Sequence, residues 1–255
     1  MSAGERLDID GPALSVLPAA DWAGVVADAL AARIARQPGL VACLPTGSTP
    51  LPVYDRLPGA LARHGTTLER ARVVQLDEYL DLPPGHPARC ETKLRTHLLD
   101  RLARPPARIV RFDVDDGDPA ETCATFEAQL RALGGLDLVV LGLGANGHVG
   151  MNEPGTPATG RTRVVELSPS TIQAARRYGA DPPPTRGLTL GLADILEAGE
   201  IWLLVTGAPK AAILAAAIDG AVSADIPASL LRGHPGLRVL ADDAAWTGRQ
   251  ALATL

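Results

Sequence analysis

Residues 136–155 read Leu136-Asp137-Leu138-Val139-Val140-Leu141-Gly142-Leu143-Gly144-Ala145-Asn146-Gly147-His148-Val149-Gly150-Met151-Asn152-Glu153-Pro154-Gly155. The stretch begins as a short, branched, almost wholly apolar run at 136–141, which reads as a buried strand. It then breaks into glycine. Gly142-x-Gly144-x-x-Gly147 directly after a strand, with Glu166 19 residues beyond Gly147, imitates a dinucleotide fingerprint. A dinucleotide loop must open a helix whose amides receive the pyrophosphate, yet Pro154-Gly155 interrupts this one and no crossover helix fits before the next run at Arg163. The stretch therefore predicts a buried strand followed by a loop that works through its side chains.

Working outward, similar apolar runs at 13–17, 40–44, 72–76, 108–112, 163–167, 201–205 and 237–240 predict further strands. Helical spacing predicts helices over 20–36, 50–64, 91–102, 120–132, 209–218 and 243–252. This alternation argues for an α/β fold, Rossmann-like and three-layered, with a mostly parallel central sheet and helices on both faces. A single domain over 1–255 is expected. Segments 155–162 and 179–187, rich in Gly, Pro and Thr, flank a strand and a short helix and suggest a small lid excursion at about 155–187; an ordinary surface loop fits that composition equally well. In such sheets ligands bind beyond the carboxyl ends of the strands.

The chain has 255 residues, a net charge of −5 and eight aromatic residues, which argues against a nucleic-acid surface. The three cysteines, Cys43, Cys90 and Cys123, follow no metal-ligand spacing and read as reduced thiols. The opening MSAGERLDIDGPALSVLPAA lacks a secretory pattern and no apolar run is long enough to span a membrane, so a cytoplasmic protein is expected. Of the 24 basic residues only Lys93 and Lys210 are lysines. Lys93, among Glu91, Arg95 and His97, reads as part of a solvated helix face.

Four strand-end loops could carry chemistry. Thr46-Gly47-Ser48-Thr49-Pro50 looks like a phosphate cradle without the lysine of a P-loop, although Ser48 or Thr49 could equally cap a helix start. In Asp77-Glu78, successive strand side chains point opposite ways, so one acid can face the cleft as a base while the other is held structurally; two solvated acids at a turn is the alternative. His148, bracketed by Asn146 and Glu153, suits proton transfer near neutral pH, against the structural role of many lone histidines. Lys210, in the Thr206-Gly207-Ala208-Pro209-Lys210 turn, sits where a helix dipole disfavours a cation unless an anion lies between them; a solvated lysine remains open.

With these loops in hand, the stretches LPTGSTPLPVYDRL, VVQLDEYLDLPPGHP, LVVLGLGANGHVGMNEPGT with the following GRTRVVELSPSTIQAARRY, and GLTLGLADILEAGEIWLLVTGAPKA resemble the glucosamine-6-phosphate deaminase/isomerase family, which shares its fold with 6-phosphogluconolactonases. The Asn152-Glu153-Pro154-Gly155 run points to the deaminase branch. The resemblance implies conversion of glucosamine 6-phosphate and water to fructose 6-phosphate and ammonia, with no metal or organic cofactor. It implies that His148 opens the sugar ring, that Asn146 and Glu153 orient it, and that Asp77 moves the C2 proton to C1. The phosphate would fall to Thr46, Gly47, Ser48, Thr49, Arg177 and Lys210. Three departures touch the sugar pocket: Asn146 where many relatives carry aspartate, Met151 where an aromatic is usual, and Ala88-Arg89-Cys90 where a Ser-Tyr pair is typical. Action on another hexosamine phosphate, lactone hydrolysis and sugar-phosphate binding without catalysis are the competing readings. Partners beyond a small sugar phosphate are not expected, and a homo-oligomer is left open.

Overall fold

The computed structural model describes residues 13–115 and 117–252; most of the 1–20 stretch read above for a leader lies outside them. Seven strands, β1 (Leu14–Leu17), β2 (Val41–Leu44), β3 (Arg72–Gln75), β5 (Arg108–Val110), β6 (Leu138–Gly142), β9 (Glu200–Val205) and β10 (Leu237–Asp242), pair in parallel in the order β1-β10-β9-β6-β2-β3-β5. A second, antiparallel sheet joins β4 (Asp77–Tyr79), β8 (Arg186–Thr189) and β7 (Arg163–Glu166).

The pleat sorts the apolar runs into two cores. Val41, Cys43, Val139, Leu141, Ile201 and Leu203 face one side of the large sheet, whereas Ala42, Leu44, Leu138, Val140, Trp202 and Leu204 face the other. Helices α1 (Ala19–Arg36), α2 (Leu51–Arg63) and α3 (Cys90–His97) cover the second face through Trp22, Tyr54 and Leu94. Helices α4 (Pro119–Ala132), α6 (Leu192–Leu196), α7 (Ala211–Asp219) and α8 (Asp243–Leu252) cover the first through Phe126, Ile195, Leu214 and Ala245. Burial on both faces is why these strands read as continuous apolar runs. The expected three-layer α/β fold is the one formed.

Several elements depart from expectation. The predicted helix over 91–102 divides into α3 and a 3₁₀ turn at Leu99–Arg101, and neither β4, β8 nor α6 is legible as a periodic run. Residues Asp77-Glu78-Tyr79 are too short and polar to declare a strand; they become one by pairing with β8, Asp77 against Thr189 and Tyr79 against Gly187. Between β7 and β8 lies α5 (Pro169–Arg176), and this excursion rests on a third apolar cluster that includes Tyr79, Cys90, Met151, Leu167 and Ala175.

The strand order fixes where a ligand can sit. From β2 the chain steps outward through β3 to β5, then returns to place β6 on the other side of β2 and continues to β9. The crossovers reverse direction between β2 and β6, and the loops leaving those two strands part to open a crevice there.

Candidate active site

The crevice is a cavity of about 570 Å³ lined from four strand ends: Thr46, Gly47, Ser48 and Thr49 after β2, Asp77 in β4 after β3, His148 after β6 and Lys210 after β9, with Arg177 reaching in from the end of α5. Eight of the ten residues singled out from the sequence thus meet on one wall-to-wall surface. Asn146 and Glu153 stand one layer behind it. A second depression of about 600 Å³, between α4 and α6, holds Arg161, but that guanidinium is already paired with Asp194 at 2.8 Å and with Glu197. Unpaired charge, not volume, separates the two.

Strand alternation divides the neighbouring acids as expected. Asp77 lines the cavity and Glu78 turns away, 1% exposed, accepting hydrogen bonds from the amides of Tyr79, Cys90 and Glu91 and from Gln75 Nε2 at 2.8–2.9 Å. Two of those amides open α3, so Glu78 anchors the helix start by its charge. Burial pushes Asp77 up to about 6; the Cys90 thiol, Lys93 and His148 pull against that rise and Glu78 adds to it. A carboxylate poised near 6 is a competent base at neutral pH.

The His148 loop is shaped by close approach. A Cβ on Gly144 would lie 2.4 Å from the imidazole, so only glycine lets the chain pass behind the ring, and Gly147 turns the loop at φ +87°. Asn146 Oδ1 accepts from the His148 amide at 3.2 Å, while Asn146 Nδ2 donates to Glu153 Oε2 at 2.9 Å. That same carboxylate oxygen lies 3.3 Å from His148 Nδ1. Glu153 Oε1 accepts from the Ser168 amide at 3.2 Å and from Thr171 Oγ1 at 2.5 Å. Burial alone would push Glu153 up, yet His148, Thr171 and Asn146 outweigh it and hold the carboxyl at about 2. The carboxylate thus lies between the histidine ring and the first turn of α5.

Two anion-seeking features line the cavity. The amides of Gly47, Ser48 and Thr49 meet no acceptor among the described residues, and the buried Thr46 hydroxyl finds no partner. In the second, Lys210 ends a 3₁₀ turn and caps α7; burial, and then the nearby Arg177, lower its pKa. Neither cation has a carboxylate partner among the described residues.

One expectation fails. Lys93 is not on a solvated face: it is 6% exposed, lines the cavity, and holds Nζ 3.8 Å from the Tyr178 ring centre and 5.7 Å from that of Tyr79. The signal lay in Cys90, Lys93 and Leu94, buried at helical spacing on one stripe of α3. Tyr79, Tyr178, Ser168 and Thr171 are further members that the sequence reading did not single out.

A family description covering glucosamine-6-phosphate isomerases and 6-phosphogluconolactonase matches residues 17–240. The chain belongs to this family. Within it, the glucosamine-6-phosphate deaminase of Beutenbergia cavernae is 41% identical over 230 residues, covering 89% of this chain and 88% of that protein. Glucosamine-6-phosphate deaminase 1 of Giardia intestinalis is 37% identical, covering 91% and 88%. Among solved structures, a monomeric glucosamine-6-phosphate deaminase superposes with a TM-score of 0.88 at 31% identity, covering 93% of this chain and all of that one. The 6-phosphogluconolactonase of Thermotoga maritima, at 18% identity and a TM-score of 0.70 over 90% and 97% of the two chains, shares the fold.

Proposed function

We propose that this protein is a glucosamine-6-phosphate deaminase, converting glucosamine 6-phosphate and water to fructose 6-phosphate and ammonia. The observation that carries this reading is the convergence of a base (Asp77), a carboxylate-backed histidine (His148 with Glu153) and unpaired anion-binding groups on one cavity, in a chain about 40% identical to deaminases over most of its length. No helix among the described residues is long and apolar enough to cross a membrane; we place the enzyme in the cytoplasm, acting on a free sugar phosphate.

The phosphate sits between the Thr46-Gly47-Ser48-Thr49 amides and the Arg177–Lys210 pair. His148 passes a proton from the anomeric hydroxyl to the ring oxygen and opens the ring, held in place by Asn146 and Glu153. Asp77 takes the C2 proton and returns it to C1; the resulting imine adds water and releases ammonia. Helix α5 and the rest of 155–187 act as the cover over this chemistry, because Arg177 and the two residues that hold Glu153, Ser168 and Thr171, belong to it. Ring opening and the C2-to-C1 transfer each need a proton carrier at a fixed place, and His148 and Asp77 fit those two tasks.

Purified protein incubated with glucosamine 6-phosphate should release ammonia and fructose 6-phosphate in equal amounts, well above a His148→Ala control. Hydrolysis of 6-phosphogluconolactone without ammonia release from the amino sugar would overturn the reading. Lys210→Ala should raise KM about tenfold or more with kcat nearly unchanged, since a phosphate contact is equal in ground and transition states. An unaltered KM would remove Lys210 from the phosphate site.

A further inference from the structure

Lys93 is a cation with nowhere in the protein to spend its hydrogen bonds. The residue is more than nine-tenths buried, and its ammonium lies over two ring faces, Tyr178 at 3.8 Å and Tyr79 at 5.7 Å. No acceptor and no carboxylate lies within bonding reach of it among the described residues. Burying an unpaired charge is costly, so a position that tolerates one is held by something other than folding stability. The rings solvate part of the charge through their faces, yet leave its N–H groups free. Those groups open on the same cavity as Asp77.

The cavity already has its phosphate cations. Arg177 and Lys210 sit together, close enough to repel. Lys93 comes from a different element: it rises from α3 one turn beyond Cys90, and it lies near enough to Asp77 to favour the charged carboxylate. A substrate carbon within reach of Asp77 is therefore within the field of Lys93.

Resting on the deaminase reading, we propose that Lys93 is a substrate-contacting catalytic residue, the donor that meets the C1 oxygen of the open-chain sugar as charge moves onto it. When Asp77 takes the C2 proton, the C2–H electron pair becomes the C1–C2 double bond and the carbonyl pair comes to rest on O1. The Lys93 ammonium keeps its proton and stabilises that oxyanion by a charge-assisted hydrogen bond. The charge disappears when Asp77 returns the proton to C1 and O1 takes up the proton that the C2 amine gives up. A fixed donor aimed at developing charge in a water-poor site is the most effective use of such a group.

Two sugar phosphates that differ only at C1 isolate the contact: 6-phosphogluconate carries an anionic carboxylate there and glucitol 6-phosphate a neutral hydroxymethyl. Calorimetric titration of the intact protein should show tighter binding of the first. Lys93→Met and Lys93→Gln should each weaken 6-phosphogluconate by about tenfold or more while leaving glucitol 6-phosphate within about twofold, and Lys93→Arg should recover part of the preference. Both substitutions remove a buried unpaired charge, so their melting temperatures should equal or exceed that of the parent. If both ligands weaken together, if neither does, or if melting falls while the preference persists, Lys93 is a packing residue and the proposal is overturned. Ammonia release by the parent enzyme is scored separately, so failure of the deaminase reading is distinguishable from failure of this one.

Discussion

Asp77→Asn is expected to lower kcat by about 10²–10⁴-fold with KM within about threefold, the signature of a lost proton acceptor rather than a lost binding charge. The amide keeps the size of the side chain and its place in β4, opposite Thr189. Because burial pushes Asp77 up to about 6, kcat/KM of the parent should fall on the acid side through that pH, since only the carboxylate accepts the C2 proton. The same shift predicts a stability change of opposite sense. A carboxyl whose folded pKa is raised from 3.8 to about 6 binds its proton more readily in the folded state. Stability is therefore greatest below about pH 4, declines as pH rises, and reaches its full penalty above about pH 6. Asp77→Asn should accordingly be more stable than the parent at pH 7.5, by of order 1–3 kcal/mol, with the advantage fading by about pH 4. Urea unfolding at the two pH values checks this. A variant that loses turnover and stability together would mean that Asp77 holds the loop in place and is not the base.

Such trade-offs also explain which parts of the protein its sequence disclosed. The central strands were legible because both faces are covered, leaving runs such as 138–141 with no polar positions to confuse the pattern. The loop at the end of β6 was legible because its glycines serve geometry: Gly144 leaves room for the His148 ring, and no other residue would. What stayed hidden depends on partners distant in sequence. Strand β4 exists through β8, more than a hundred residues away, and an isolated Asp-Glu-Tyr carries no trace of that pairing. Ser168 caps α5 and Thr171 lies in its first turn; only the folded chain brings Glu153 against them. Lys93 was misread because a charged side chain on a helix is solvated by default. Its burial on the stripe with Cys90 and Leu94 breaks that default, and local rules tend to be broken where function is served.

The His148–Glu153 pair supplies the second large effect, and a double substitution tells whether the two act as one device. His148→Ala should cut kcat/KM by about 10²–10⁴-fold, the typical contribution of a positioned proton carrier. Glu153→Gln leaves the imidazole in place and can still accept from Thr171 and from the Ser168 amide, but it removes the charge 3.3 Å from Nδ1. It should lower kcat by about 10²-fold, because a neutral partner no longer fixes which ring nitrogen carries the proton. Its stability effect runs opposite to that of Asp77→Asn. The Glu153 carboxyl is held at about 2 against an ordinary 4.5, so its stabilisation is complete above about pH 4.5 and is lost as pH falls towards 2. At neutral pH Glu153→Gln should therefore be less stable than the parent, by of order 1–3 kcal/mol. If Glu153 acts through His148, the double variant will be no slower than His148→Ala alone, since an orienting group has nothing left to orient. Losses that multiply would show instead that Glu153 works on the reaction independently of the histidine, through its hold on α5.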